Sequence, residues 1–192
     1  MEIFTPKTFV IPELTGIGAK NIEEHLKLYK GYVTNANLIL EKINTLSEDA
    51  ENNAYIIAEL RRRFPFEFDG MRNHEYYFSQ FEGEHTPVSD SKLKEKIAQT
   101  WGSFDSWLEQ FKAIAMTRGI GWAVLYYDDK TDKLLQTWVD EQHLGQLIGL
   151  KPILALDMWE HAYVYDYPTS EKKKYVEAFF ANINWKVVED RF

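Results

Sequence analysis

Five histidines and a handful of acidic residues carry most of the chemistry this sequence can offer. The densest group is LDMWEHAYVYDY, Leu156 to Tyr167, which sets Asp157, Trp159, Glu160 and His161 close together among apolar neighbours. Acidic residues and histidines are seldom buried without a partner, so a cluster of this kind at the end of an apolar run asks for one. His25, His74 and His161 lie in apolar patterns, whereas His85 falls in the polar EGEHTPVSDS and His143 in DEQHLGQ. Three imidazoles and one carboxylate suit a first-row transition metal such as iron or manganese. A single histidine on an apolar helical stripe is more often a core residue, and Asp157 could simply cap a helix. Residue types and spacing therefore reach a candidate mononuclear metal site and stop there.

The elements that must position these residues are legible in the apolar periodicity. A helical period begins near Ala19 and runs through Ile22, Leu26, Tyr29, Val33, Ala36 and Leu40. A second helix is expected through EDAENNAYIIAELRRR, ending before Phe64 because Pro65 disfavours helical geometry in the residue before it. A third, GMRNHEYYFSQF, aligns Gly70, Met71, His74, Phe78 and Phe81 on one side. The polar stretch Glu82 to Ser91 reads as a linker. Beyond it, SFDSWLEQFKAIAM is helical, GWAVLYY and LLQTWV form a hairpin across DDKTDK, and PILALD makes a third strand leading into the Asp157 cluster. SEKKKYVEAFFANINW is expected as the closing helix, with a short helical tail. The fold class is α+β: an N-terminal antiparallel helical hairpin domain over residues 1–85, then a mixed domain over 86–192 with a three-stranded antiparallel sheet and flanking helices.

Composition narrows the function classes. The 192 residues can bury a sizeable core, and the formal net charge of −8 argues against nucleic-acid binding or docking on an anionic membrane. There is no cysteine, which excludes thiolate metal sites, disulfides and thiol catalysis. No apolar run is long enough to span a membrane, and MEIFTPKTFVIPEL lacks the basic start and apolar core of a signal peptide. A cytoplasmic location is the expectation.

DMWEHAYVYDY followed by YVEAFFANINW resembles the C-terminal signature of iron/manganese superoxide dismutases, D-x-W-E-H-A-[FY]. RNHEYYF is similar to the family's second metal-histidine helix, WGSFDSWLEQF to its Gly-Ser-Phe helix start, and GIGWAVLYY to its Gly-x-Gly-Trp strand. These landmarks fall in the family's order from about Ile22 to the end of the chain. The resemblance implies dismutation of superoxide to dioxygen and hydrogen peroxide at one iron or manganese ion per subunit, in a homodimer or a dimer of dimers.

Carried over position by position, the resemblance implies His25, His74, Asp157 and His161 as metal ligands. Trp122 and Trp159 match the aromatic walls of the pocket, Tyr32 the tyrosine at the substrate channel, and Tyr77 another channel tyrosine. Glu160 and Tyr163 match residues that reach across the dimer interface. The amide that contacts the metal's solvent ligand aligns with Gln142, with His143 as the alternative. Gly70 occupies the position from which many iron enzymes present a glutamine, so Gly70 with Gln142 is the manganese-leaning arrangement.

This sequence departs from the family pattern in its first helix. The interval from His25 to Tyr32 is one residue shorter than the family's, and without a gap Glu24 would take the ligand position. A seven-residue step is nearly two full helical turns, so His25 and Tyr32 share a face of a plain helix, while Glu24 points about 100° away. The channel histidine is replaced by Leu28 or Tyr29. Lys27, Lys30 and one of Lys172 to Lys174 are candidate cations for attracting an anionic substrate to an acidic protein. The altered first helix also leaves open a non-catalytic relative that keeps the fold as a scaffold or assembly subunit.

Overall fold

The computed structural model describes residues 3–192; Met1 and Glu2 of the leading segment lie outside them. Helix α1, Ala19–Leu46, turns through a short helical link into α2, Ala50–Ser79, and the two pack as an antiparallel hairpin. Helices α3, Lys92–Trp101, and α4, Phe104–Ala115, precede the sheet. Strands β1, Gly121–Asp128, β2, Lys133–Asp140, and β3, Lys151–Asp157, pair antiparallel in the order β2-β1-β3. The chain closes with α5, Lys172–Asn182, and α6, Trp185–Glu189.

Two boundaries differ from expectation. The helix predicted to end before Phe64 continues through Pro65 and contains the predicted third helix, so α2 is one element of 30 residues. A proline inside a helix costs about 3 kcal/mol through a lost hydrogen bond and a ring clash. Burying a large apolar side chain returns roughly 1.5–3 kcal/mol, and α2 buries Ile57, Met71, Tyr77 and Phe78. Packing thus outweighs the local break, and Pro65 itself sits on the exposed side. The closing helix, by contrast, ends early, because Ile183 is extended and Asn184 leads into α6.

The buried face of α1 is also rotated from the purely apolar stripe. Its buried positions are Asn21, His25, Tyr29, Tyr32, Val33, Ala36 and Ile39, with Ile22, Leu26 and Leu40 at its flanks. Polar groups occupy the centre of the face because they meet polar partners across it. The segment Glu82 to Ser91 has no regular helix or strand, yet it is pinned to the C-terminal helices. His85 Nδ1 lies 2.7 Å from Ile183 O, Thr86 Oγ1 donates to Asn184 Oδ1, and Ser89 Oγ donates to Glu189.

Three devices fix the elements that carry the candidate site. Gln80, fully buried near the end of α2, accepts from Ala155 N and donates to Ala155 O, both at 2.8 Å, covering the free edge of β3. Asn21 donates to Ala162 O and Asp166 Oδ2, and Gly18 N donates to the same carboxylate oxygen. Those bonds tie the start of α1 to the turn after β3. A Cβ at Gly18 would lie 2.7 Å from Asp166 Oδ1, so this approach requires glycine or a shift of the aspartate. Finally, Asn73 on α2 donates to Gln142 O, holding the β2–β3 connection against the helix hairpin.

Candidate metal centre

Asp157 is the last residue of β3, and its register partner Trp122 is the second residue of β1. The Asp157 side chain therefore emerges at the end of the sheet, against the helix hairpin. Its Oδ1 accepts from Trp159 N at 2.9 Å, which leaves Oδ2 for the cavity. The Nε2 atoms of His25, His161 and His74 lie 3.1, 3.0 and 3.5 Å from that one oxygen. Ligand atoms of the four residues all lie within 4.8 Å of one another. His25, His74 and Asp157 are fully enclosed, whereas His161 is only partly buried, with 18% of its side chain exposed.

Tautomer and charge both suit a cation. His74 Nδ1 donates to Gly70 O at 2.6 Å, so its Nε2 presents a lone pair, and that buried atom has no hydrogen-bond partner. Burial pushes His74 well below the usual imidazole range, reinforced by the neighbouring His25. Burial likewise lowers His25, against the opposing pull of Asp157. Burial opposes the Asp157 charge, yet His161 and His25 hold the carboxyl below its ordinary range. Three imidazoles, two of them held toward the neutral form by burial, converge on an ionised carboxylate and make an N₃O donor set that fits one iron or manganese ion.

The first helix keeps His25 and Tyr32 on one face without interruption, since α1 is helical throughout. Glu24 points outward and pairs with Lys20 and Lys27. Tyr29 is buried on the other side, where its hydroxyl accepts from Lys7 N and donates to Glu75.

Gln142 sits at the base of the pocket, fully buried. An indole N–H can only donate, so Trp122 Nε1 must meet the amide oxygen of Gln142, at 2.9 Å. The amide nitrogen then donates to the Tyr32 hydroxyl, also at 2.9 Å. Tyr32 leans on His74, with ring centroids 5.0 Å apart. Burial pushes the Tyr32 hydroxyl well above its ordinary value, and the Asp157 charge adds to that. Gly70 is bare for a steric reason, since a Cβ there would lie 2.7 Å from Tyr32 Cδ1.

Trp122 packs edge-on to His74, and Trp159 stacks on His161 while donating to Glu141 O. His143 packs against Phe66 instead of entering the Trp122–Gln142–Tyr32 chain. Tyr77 is fully buried behind His25, and its hydroxyl meets that of Tyr175 on α5 at 3.0 Å.

Sequence reasoning missed the groups beside Tyr32. Phe66 touches Tyr32, His143 and Trp159, and the Arg63 guanidinium lies 3.6 Å above its ring. Arg63 also bonds Glu67, which is buried. Phe66 and Glu67 lie three and four residues beyond Arg63, so RRRFPFE pairs them only once the helix continues through Pro65, whereas the local sequence predicts an end before Phe64. Of the expected guiding lysines, Lys27 is tied to Glu23 and Glu24, and Lys174 to Glu171. Lys172 instead donates to Thr117 O.

A helical hairpin joined to a short antiparallel sheet, with an enclosed three-histidine, one-carboxylate pocket at their junction, defines a mononuclear metalloprotein. Residues 89–191 match the family model described as iron/manganese superoxide dismutases, C-terminal domain. The chain is 36% identical to an iron superoxide dismutase of Aquifex pyrophilus over 97% of its length and 90% of the relative's. It is 36% identical to a manganese superoxide dismutase of Nocardia asteroides, covering 91% and 84%, and 34% identical to an iron superoxide dismutase of Methanothermobacter thermautotrophicus, covering 88% and 82%. The chain belongs to the iron/manganese superoxide dismutase family.

Proposed function

We propose that this chain converts two superoxide anions and two protons into dioxygen and hydrogen peroxide, at one iron or manganese ion held by His25, His74, Asp157 and His161. The carrying observation is the convergence of three imidazole Nε2 atoms on one buried carboxylate oxygen. A bound ion of this kind supplies one-electron acceptance and one-electron donation in turn. The chain's own residues do the rest. Tyr32 accepts its hydrogen bond from Gln142, so its own hydrogen is free to be donated into the cavity. With its acidity suppressed, Tyr32 stays protonated at physiological pH and can hand on a proton without becoming a lasting anion. Trp122, Trp159 and Phe66 wall the cavity and limit water around the ligands.

Relatives named for iron and for manganese match about equally well. The bare Gly70 with Gln142 reaching in favours manganese in our reading. Retention of the whole donor set weighs against a scaffold that merely keeps the fold. The deciding experiment is the dismutation rate per bound metal, after reconstitution with iron and manganese in turn. Fast turnover with at least one ion supports the assignment, and stoichiometric metal without turnover in either form refutes it.

We assign the division of the chain to residues 1–85 and 86–192; the family match beginning at residue 89 supports it. We also propose a homodimer or a dimer of dimers. Glu160 is exposed, its carboxylate makes no hydrogen bond or ion pair among the described residues, and its neighbours Val164 and Tyr165 are exposed apolar groups. Glu160 would reach the partner's His161, with Tyr163 beside it at the interface. Glu160→Ala should shift the oligomer toward monomer in sedimentation at micromolar concentration, and an unchanged distribution would count against the pairing. A cytoplasmic compartment remains our reading, tested by fractionating the source cells.

A further inference from the structure

Away from the metal centre, Lys7, Arg72, Glu75, Tyr76, Ser79 and Arg191 line a cleft of about 330 Å³. Arg191 forms one wall and is largely buried. Its Nη1 donates to Gln80 Oε1 and Ile153 O, and its Nη2 to Tyr76 O and Ser79 Oγ. All four acceptors are neutral, and no carboxylate lies within ion-pair distance among the described residues. Burial pushes the guanidinium down to about 10, as expected for a cation taken from water without a counter-charge. The carboxyl end of α2 contributes only about half a negative charge through its dipole.

The other charges in the cleft do not balance Arg191. Glu75 is its one carboxylate, and the same oxygen Oε2 already receives Lys7 Nζ at 3.0 Å and Arg72 Nη1 at 2.8 Å. Its second oxygen accepts from Tyr29. Asp190, the residue before Arg191, is bonded to Lys186. Three cations thus face one saturated carboxylate, on a protein whose formal net charge is −8. Local excess positive charge against that global sign is a specific feature of the cleft. Lys7 and Arg72 keep about half their side-chain surface in solvent and can turn donors toward a guest.

We propose that this cleft is a binding site for a small oxyanion of the phosphate class. A dianion supplies the missing counter-charge to Arg191, and Lys7 and Arg72 supply charge-assisted donors at the mouth. The test is calorimetric titration of inorganic phosphate into the metal-loaded enzyme at low ionic strength. Lys7→Gln and Arg72→Gln are studied singly, so that Glu75 keeps one cation in each and the fold is preserved. The expected result is saturable binding of one phosphate per chain, weakened about tenfold in each variant and unaltered in the exposed control Lys151→Gln. Binding unchanged in both variants would place phosphate elsewhere, the metal pocket included, and overturn the proposal. Absence of saturable binding up to about 10 mM would overturn it equally.

Discussion

Single residues decide how the pocket is poised. Gln142 joins Trp122 to Tyr32, and each partner is buried. Gln142→Ala leaves an indole N–H and a tyrosine hydroxyl without their partner, at a cost of about 1–3 kcal/mol for each group that stays unsatisfied. The ligand set is untouched, so metal content should hold while dismutation per metal falls at least tenfold. Metal analysis beside a rate assay checks this, and equal losses of both would mean that Gln142 merely props up the site. Asp69 gives a pH dependence of stability. Burial raises its carboxyl to about 6, and it has no ion pair among the described residues. The folded state then binds the proton more tightly than the unfolded chain, whose value is near 3.9, so this group favours folding at low pH. That contribution is lost as pH rises through 6. Asp69→Asn should therefore gain stability over the parent between roughly pH 4 and 7 and keep a constant margin above that window. Melting temperatures of both proteins across that range would reveal it, and a pH-independent difference would refute it.

At the scale of elements, the informative case is α2. Its pattern before Phe64 and after Gly70 indicates two helices, and Pro65 supplies a reason to separate them. The structure keeps one helix because both segments bury their apolar faces against α1 and the sheet. Pro65 is exposed, and its missing N–H leaves the carbonyl four residues earlier unbonded. Pro65→Ala should raise stability by up to about 3 kcal/mol without altering the metal site. Denaturant midpoints would show the gain; a loss would mean that the proline is matched to a kink the hairpin needs. The one-residue shortening in α1 belongs at this scale too. A plain helix suffices to bring His25 and Tyr32 to one side, and it also turns Tyr29 toward Glu75.

At the scale of the molecule, an anionic substrate must approach a protein of net charge −8, so the sign of the field near Tyr32 matters. Arg63, stacked on Phe66, is the cation placed there, while Glu67 beneath it is buried. Arg63→Gln uncovers that carboxylate. Its rate should drop several-fold at low salt and recover as salt screens the repulsion, opposite to attraction by a cation. Rates from roughly 10 to 300 mM salt would decide it, and parallel curves for parent and variant would remove Arg63 from any guiding role. No helix among the described residues is long and apolar enough to cross a membrane. The ligands, the strands and most of the helical phase were legible in the sequence because each is written in contiguous residues. Asp157 and His161 share one local stretch, His74 lies on a clear apolar face, and alternation marks the hairpin of β1 and β2. Choices between neighbours were legible only in part: helical phase favoured His25 over Glu24, whereas the bonding of Gln142, and not His143, to Trp122 and Tyr32 depends on what lies across the cavity. Tyr77 against Tyr175, Gln80 on the free edge of β3, and the persistence of α2 through Pro65 were decided by tertiary structure, whereas the pairing of Lys27 with Glu23 and Glu24 and the stacking of Arg63 on Phe66 are three- and four-residue steps along one helix. Local sequence sets which backbone conformations and side-chain types are available, but the partner that satisfies a buried polar group comes from a distant element, and only packing brings the two together.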